Sequence, residues 1–245
     1  MENSVFVALS RVDALKRQMS VIANNLANMN TTGFKGEKMM FVEHLVKSRG
    51  GDRLIPVKLA YARDVAQITD ISDGPIQTTG NRLDVAIKKE GYFVVETTNG
   101  PRYTRNGRFE TNDQNQLVNQ QGFPVQSDAG APLVFGPEDT EIIIASDGTV
   151  STNNGDLGRI RLVNFENPQN LQKETGGLLS TDDNPEDVET PGLIQGALEG
   201  SNVEPITEMS KMIETHRAFD SVRKFIDRED QRQRKMIQQL SPRAA

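Results

Sequence analysis

Apolar positions recur along this chain with two different periods, and the period changes twice. Near the start, Val5, Val12, Met19 and Leu26 stand seven residues apart, and Ala8, Leu15, Ile22 and Met29 repeat that spacing three residues later. Both seam positions of each heptad are apolar, which predicts a helix packed against another helix. Near the other end Ile206, Met209, Ile213, Phe219, Val222, Ile226, Met236 and Leu240 recur mostly at steps of three and four, predicting a second helix. From about Tyr61 the period is two. Asp73-Gly74-Pro75, Asn99-Gly100, Asn106-Gly107, Asp147-Gly148 and Asn154-Gly155 punctuate that stretch as turns. Strands are predicted at 84–87, 92–97, 102–105, 108–111, 116–119, 142–145 and 159–165. Short strands at this spacing predict an antiparallel, barrel- or sandwich-like domain.

The fold class expected is therefore mixed α and β. Long terminal helices pack as a coiled-coil-like layer, and a central antiparallel β domain separates them. The expected boundaries are 1–33 for the first helix, 34–61 for a connecting segment, 62–200 for the β domain and 201–245 for the second helix. Gly33 is the natural left-handed cap of the first helix. In the connecting segment Phe41, Val42, Leu45 and Val46 hint at a short helix that Gly50-Gly51 would break. Ser201 or Asn202 can cap the second helix, with Glu204 at its positive end and Pro205 in its first turn. A second helix near 38 residues would be about 57 Å long, more than a domain of this size needs. Surplus length points to contacts between subunits, and head-to-tail contacts of that kind generate open arrays.

Residues 21–33 carry no charge but include Asn24, Asn25, Asn28 and Asn30. Two readings stand: the amides face water and prepare the helix end, or they are buried among protein neighbours and hydrogen-bonded there. The candidate assembly surface is Val5, Val12, Leu15, Met19, Ile22, Asn24, Asn25, Leu26, Asn28 and Met29 on the first helix. On the second it is Ile206, Met209, Ile213, Phe219, Val222 and Ile226.

Charge narrows the function. The chain has 28 basic and 34 acidic residues, but residues 51–200 alone carry a net −11. That acidic body argues against a nucleic-acid surface. The acidic stretch at 182–187 reads as solvated loop. There is no cysteine, hence no disulfide or thiolate site. No apolar run reaches membrane-spanning length, so membrane insertion is not expected. The first residues lack the pattern of a cleaved signal peptide, so any export is expected to proceed without one. An enzyme is the rival class, but Asp64, Asp84, Glu96 and Glu110 read as surface carboxylates of alternating strands rather than a catalytic pair. His44 and His216 have no ligand-spaced neighbours, and phosphate loops and nucleophile elbows are missing. No cofactor is expected.

Four strings then carry a resemblance. Ala23-Asn24-Asn25-Leu26-Ala27-Asn28-Met29-Asn30-Thr31-Thr32-Gly33-Phe34-Lys35 resembles the N-terminal signature of bacterial flagellar rod and hook proteins. Leu83-Asp84-Val85-Ala86-Ile87 with Gly91-Tyr92-Phe93-Val94-Val95 is similar to the next shared block, although Lys88-Lys89-Glu90 stands where small residues are usual. Tyr103-Thr104-Arg105-Asn106-Gly107-Arg108-Phe109, leading to Gln116-Leu117-Val118 and Gly122-Phe123-Pro124-Val125, resembles the third. Ser201-Asn202-Val203-Glu204 and Met212-Ile213-Glu214-Thr215-His216-Arg217-Ala218-Phe219 resemble the C-terminal signature. The chain is short for a hook protein, and its opening, residues 2–10, is more similar to proximal than to distal rod members. The resemblance implies a subunit whose terminal helices form an inner axial layer of a torque-bearing rod. It also implies passage through the flagellar type III export apparatus and, as partners, neighbouring rod subunits and copies of itself. A distal rod subunit, or a secreted binding module on a coiled-coil stalk, is the alternative.

Overall fold

The computed structural model describes residues 2–48 and 57–240. The chain divides into two compact units: Met1–Ala27, Glu37–Thr69 and Glu204–Ala245 form one, and Asn28–Gly36 with Asp70–Val203 form the other. It is a mixed α and β protein with a central antiparallel β region.

The first unit holds α1 (Glu2–Ala27), β1 (Glu37–Ser48), β2 (Val57–Thr69) and α2 (Pro205–Leu240). At 26 and 36 residues the helices are about 39 and 54 Å long. They pack on each other, and α1 also packs on β1 and β2. Asn25, in the last turn of α1, bonds Glu208 in the first turn of α2, so the two run antiparallel. Two adjacent stripes of α1 are consequently turned inward, and Ala8, Ala14, Val21, Ile22 and Asn25 are buried. On α2 the less exposed positions include Glu208, Met212, Thr215, Phe219, Val222, Ile226, Glu229, Gln233 and Met236, alternating steps of four and three, flanked by half-buried Lys211, Ala218 and Asp220.

The connecting segment departs from expectation. Where Phe41, Val42, Leu45 and Val46 suggested a short helix, the backbone is strand β1, paired antiparallel with β2 from Glu37↔Thr69 to Ser48↔Val57. The run from Met39 to Val46 is rich in β-branched and aromatic residues, and its apolar pairs suit either period. The register shifts between Met40 and Phe41, a bulge that a helical spacing imitates. The Gly50-Gly51 break lies outside the described residues.

Helix ends also differ from expectation. α1 stops at Ala27, and two turns follow in which Thr31 N–H reaches Asn28 C=O and Phe34 N–H reaches Thr31 C=O. Gly33 is left-handed (φ 68°) as predicted but caps no helix. At the start of α2, Ser201 Oγ accepts from Val203 N–H and Asn202 is spent on other loops, so neither caps the helix. Instead Glu204 precedes it: its C=O accepts from Glu208 N–H and its carboxylate from Thr207 Oγ1.

The second unit is built from short antiparallel strands. These are β3 (Ile76–Thr78), β4 (Val85–Ile87), β5 (Tyr92–Thr97), β6 (Gly100–Thr104), β7 (Phe109–Thr111), β8 (Leu117–Asn119) and β9 (Ile142–Ile144). They continue as β10 (Thr149–Thr152), β11 (Gly155–Arg159), β12 (Leu162–Asn164), β13 (Gln172–Lys173) and β14 (Leu179–Ser180). The last are β15 (Glu186–Asp187), β16 (Leu193–Gln195) and β17 (Ala197–Glu199). The largest sheet runs β13-β14-β6-β5-β12-β15, an open order with two edges. Ribbons β11-β10-β9, β16-β4, β17-β3 and β7-β8 complete the unit.

Both faces of β5 are covered, so Tyr92, Phe93, Val94 and Val95 are all buried and read as a continuous apolar run. Phe93 and Val95 enter the main core with Phe109, Leu117 and Val125, where the Phe93 and Phe109 rings meet edge-on at 5.0 Å. Tyr92 and Val94 join Tyr103 and Phe165 in a smaller cluster behind the sheet. Gly107 illustrates why the turn pairs are where they are: a Cβ there would sit 1.7 Å from the Val85 carbonyl oxygen. The predicted strand at 159–165 is two strands, β11 and β12, separated by Ile160 and Arg161.

Candidate assembly site

On α1, Ile22 and Asn25 are buried, while Val5, Val12, Leu15, Met19 and Leu26 are half-buried, as is Asn28 in the turn after it. Asn24 is exposed, and Met29, beyond the helix end, is 36% exposed. Of the four asparagines, Asn25 is the one turned fully inward. Its Oδ1 accepts from Glu37 N–H at 2.9 Å, and its Nδ2 donates to Glu37 C=O at 2.8 Å and to Glu208 Oε2 at 3.1 Å. One amide thus continues the edge of β1 and pins α1 to α2. Glu208, itself buried, takes a second bond from Lys211 Nζ at 2.6 Å. Glu37 is further held by Gln67 Nε2. Polar groups buried in a helical seam fix register, because any other register leaves them unpaired.

The six predicted α2 residues do not share a face. Phe219, Val222 and Ile226 lie half-buried on the inward stripe. Ile206, Met209 and Ile213 are 82%, 53% and 52% exposed. The step from Ile213 to Phe219 is six residues, which turns the stripe well away from where a step of seven would keep it. The inward phase before that point belongs to Glu208, Met212 and Thr215, which apolar counting passes over. On α1, Phe6 and Leu9 are likewise 60% and 51% exposed.

In the second unit, the signature strings converge on one buried ion cluster. Lys35 Nζ donates to Glu199 Oε1 at 2.6 Å and to Ser72 C=O at 2.7 Å. Arg105 donates from Nη1 to the carbonyls of Lys89 and Gly91, both at 2.7 Å, and from Nη2 to Asp73 Oδ1 at 3.0 Å. Arg105 Nε also lies 3.0 Å from Glu199 Oε2, an ionic contact off the line of a hydrogen bond. Glu199 is 1% exposed and Arg105 6%, so each charge depends on the others for its solvation. Asn202 draws neighbouring segments together: its Oδ1 accepts from Gly36 N–H, and its Nδ2 donates to the carbonyls of Asp70 and Ser72. Lys173 closes the loop by donating to Lys35 C=O, 4.3 Å from the Phe34 ring centroid. Gly33 is packed so closely that a Cβ would lie 2.6 Å from the Arg105 carbonyl carbon.

This geometry explains the irregular Lys88-Lys89-Glu90. The cluster uses only backbone carbonyls there, and the three side chains are exposed, with Glu90 accepting from Asn164 Nδ2 at 3.3 Å, so none of them enters the cluster. It also corrects one expectation about carboxylates. Asp84 is 3% exposed, accepting from Thr79 Oγ1 at 2.6 Å and Asn81 Nδ2 at 3.1 Å, and is a turn-organising group rather than a surface one. Glu96 and Glu110 are exposed, as expected; the side chains of Asp64 and His44 lie outside those described. His216 is exposed, with Nδ1 3.4 Å from Asp220 Oδ2. Among the described residues no cluster of three or more His, Cys, Asp or Glu groups is placed to hold a metal. Nor is any described helix long and apolar enough to cross a membrane.

Three family models match the chain: "Flagella basal body rod protein" over residues 7–35, "Flagellar hook protein FlgE/F/G D1 domain" over 86–152 and "Flagellar basal body rod FlgEFG protein C-terminal" over 194–239. A flagellar basal-body rod protein FlgF from Caulobacter vibrioides is 37% identical over 243 residues, 98% of each chain. FlgF from Rhizobium meliloti is 32% identical over 91% of each. A rod protein FlgG from Buchnera aphidicola subsp. Schizaphis graminum is also 32% identical, over 97% of this chain and 98% of its own.

Proposed function

We infer the role of this chain from its membership: it belongs to the flagellar basal-body rod protein family, is FlgF-like, and is a structural subunit of the proximal rod. Its terminal helices form a coiled-coil-like inner layer in the assembled rod. Its partners are neighbouring proximal and distal rod subunits and copies of itself. Export runs through the flagellar type III apparatus, and the assembled subunit transmits torque across the periplasm. A distal, FlgG-like position is the second reading, favoured by FlgG relatives that match almost the whole chain.

The observation that supports assembly is the apolar surface left over after α1 and α2 have packed on each other. Ile206, Met209 and Ile213 form an exposed row on the first turns of α2, and Phe6 and Leu9 another on the first turns of α1. Because the helices are antiparallel, these rows lie toward opposite ends of the pair, an arrangement suited to head-to-tail contact. Val5, Val12, Leu15, Met19, Asn24 and Leu26 on α1, with Asn28 and Met29 after it, belong to the proposed interface. Ile22 and Asn25 support it from within.

The test is the double variant Ile206→Lys, Ile213→Lys. Exposed positions of this kind change folding stability by about 0.5 kcal/mol or less. The purified variant should therefore melt like the parent, while a strain carrying it should fail to swim and accumulate unassembled subunit. Normal swimming at normal expression would overturn the helical-layer reading.

A further inference from the structure

Five turns of this chain place Asn or Asp directly before Gly, a pairing prone to intramolecular attack because glycine adds no side chain to obstruct the ring that forms. Four of the five are restrained. The Asp73 carboxylate faces Arg105 at 3.0 Å, and the Gly74 N–H is engaged with Glu199 at 3.0 Å. Asn106 accepts from Arg108 N–H through Oδ1 and donates to Gln120 through Nδ2. Asp147 accepts from both the N–H and the hydroxyl of Thr149. Asn154 donates to Asp139 Oδ1 at 2.7 Å.

Asn99 differs. It is exposed in the turn joining β5 to β6, and its backbone is held: its N–H donates to Thr97 Oγ1, and its C=O accepts from Arg102 Nη1. Its side-chain amide has no hydrogen bond among the described residues. The following Gly100 opens β6 opposite Thr97 with φ 95°, and nothing lies within 4 Å of where its Cβ would stand, so no neighbour crowds the turn. Gly155 is equally open, but there the asparagine amide is tied down.

We propose that Asn99 is a site of spontaneous deamidation in the folded protein. The Gly100 backbone nitrogen attacks Cγ of Asn99 and gives up its proton to base. The Cγ–Nδ2 bond breaks and the amide nitrogen leaves, protonated, as ammonia. Water then opens the five-membered succinimide at either carbonyl, giving aspartate or isoaspartate; no oxidant or reductant is involved. The new carboxylate arises beside Arg102, whose Nε is now 2.9 Å from Glu174 Oε1, and so offers that guanidinium a second acceptor. The isoaspartate product also adds a methylene to the backbone of the turn.

The folded full-length chain is incubated at mildly alkaline pH and physiological temperature, and its peptides are followed by mass spectrometry with an enzymatic isoaspartate assay. Asn99 should gain the mass of an amide-to-acid exchange about tenfold faster than Asn106 or Asn154, a barrier difference of about 1.4 kcal/mol. The same chain in denaturant should lose most of that selectivity, because all three Asn-Gly pairs are then unrestrained. Asn99 reacting no faster than Asn154 in the folded chain, or selectivity persisting in denaturant, would overturn the proposal.

Discussion

The two units of this chain solve the burial problem differently. In the β unit Phe93, Phe109, Leu117 and Val125 are shut off from water completely, and Leu133 and Ile160 are 1% exposed. In the helical unit the buried apolar side chains among those described are Ala8, Ala14, Val21 and Ile22, at 4–8% exposure, two of them alanines. Ile206 meanwhile stands 82% exposed and Phe6 60%, above the 50% of Ile71 and Ile143, the most exposed large apolar side chains of the β unit. The β unit closes a deep core within the chain, and the two helices keep more apolar area at their surface. Long helices gain most of their stability from what packs on their apolar faces. The contrast suits a subunit that folds a body first and finishes its helices on assembly.

The comparison breaks most severely at the ion cluster of the β unit. Glu199→Ala would leave the buried Lys35 and Arg105 with the largely exposed Asp73 as their remaining carboxylate, and removing one partner of a buried pair costs about 3–5 kcal/mol. Urea denaturation should show that loss, and hydrogen exchange should show residues 31–36 opening with it. A loss under about 1 kcal/mol would mean that neighbouring carbonyls, not Glu199, solvate the cations.

A smaller effect is expected in the helical unit from Asn25→Leu. The substitution is nearly isosteric but orphans the N–H and C=O of Glu37 and one bond to Glu208. At about 0.5–1.5 kcal/mol net for each of the three hydrogen bonds lost, a loss of about 1.5–4.5 kcal/mol follows. Exchange should rise along α1 while the β unit keeps its protection. If both units weaken together, they fold as one, and the contrast between them is a matter of surface alone. Ile22, at 4% exposure, is a poor place to test assembly for the same reason: a charge there would damage the subunit's own packing first.

Much of this was legible in sequence where the signal is local. β5 lies where its apolar run and the Asn99-Gly100 turn place it, and β7 to β9 fall within a residue of their expected ends. Those boundaries are written in adjacent residues. The inward face of α2 was less legible because three of its first positions are Glu208, Met212 and Thr215. A buried glutamate and threonine look polar until Asn25 and the opposing helix are in place. β1 was misread because the pairs Phe41-Val42 and Leu45-Val46 satisfy a helical spacing as well as a strand, and what settles the choice is a partner strand. The ion cluster was the least legible. Lys35 and Glu199 are 164 residues apart, and nothing in either neighbourhood says that they meet. The signature strings marked those segments as important, but pointed to helix ends rather than to a buried junction.

The smallest expected effect concerns the alkaline side of the pH range and belongs to the β unit. Burial pushes the Tyr92 hydroxyl above its ordinary value of 10.0, against the lowering pull of Arg105. In the unfolded chain the phenol loses its proton near 10.0, whereas in the folded chain it keeps it to higher pH. The stability tied to that proton is therefore complete below pH 10.0 and drains away as pH rises toward the folded value. Tyr92→Phe keeps the ring in its cluster with Phe165, 6.0 Å away, and removes the titration. The variant should match the parent at neutral pH, within the scatter of a conservative swap, and outlast it in melts above pH 10.0. Tyr103, whose hydroxyl burial also pushes up, remains in both proteins, so the parent's alkaline slope should become shallower rather than vanish. An unchanged slope would assign the alkaline loss to groups outside this cluster, and with it weaken the view that the sheet's second face is sealed as tightly as its first.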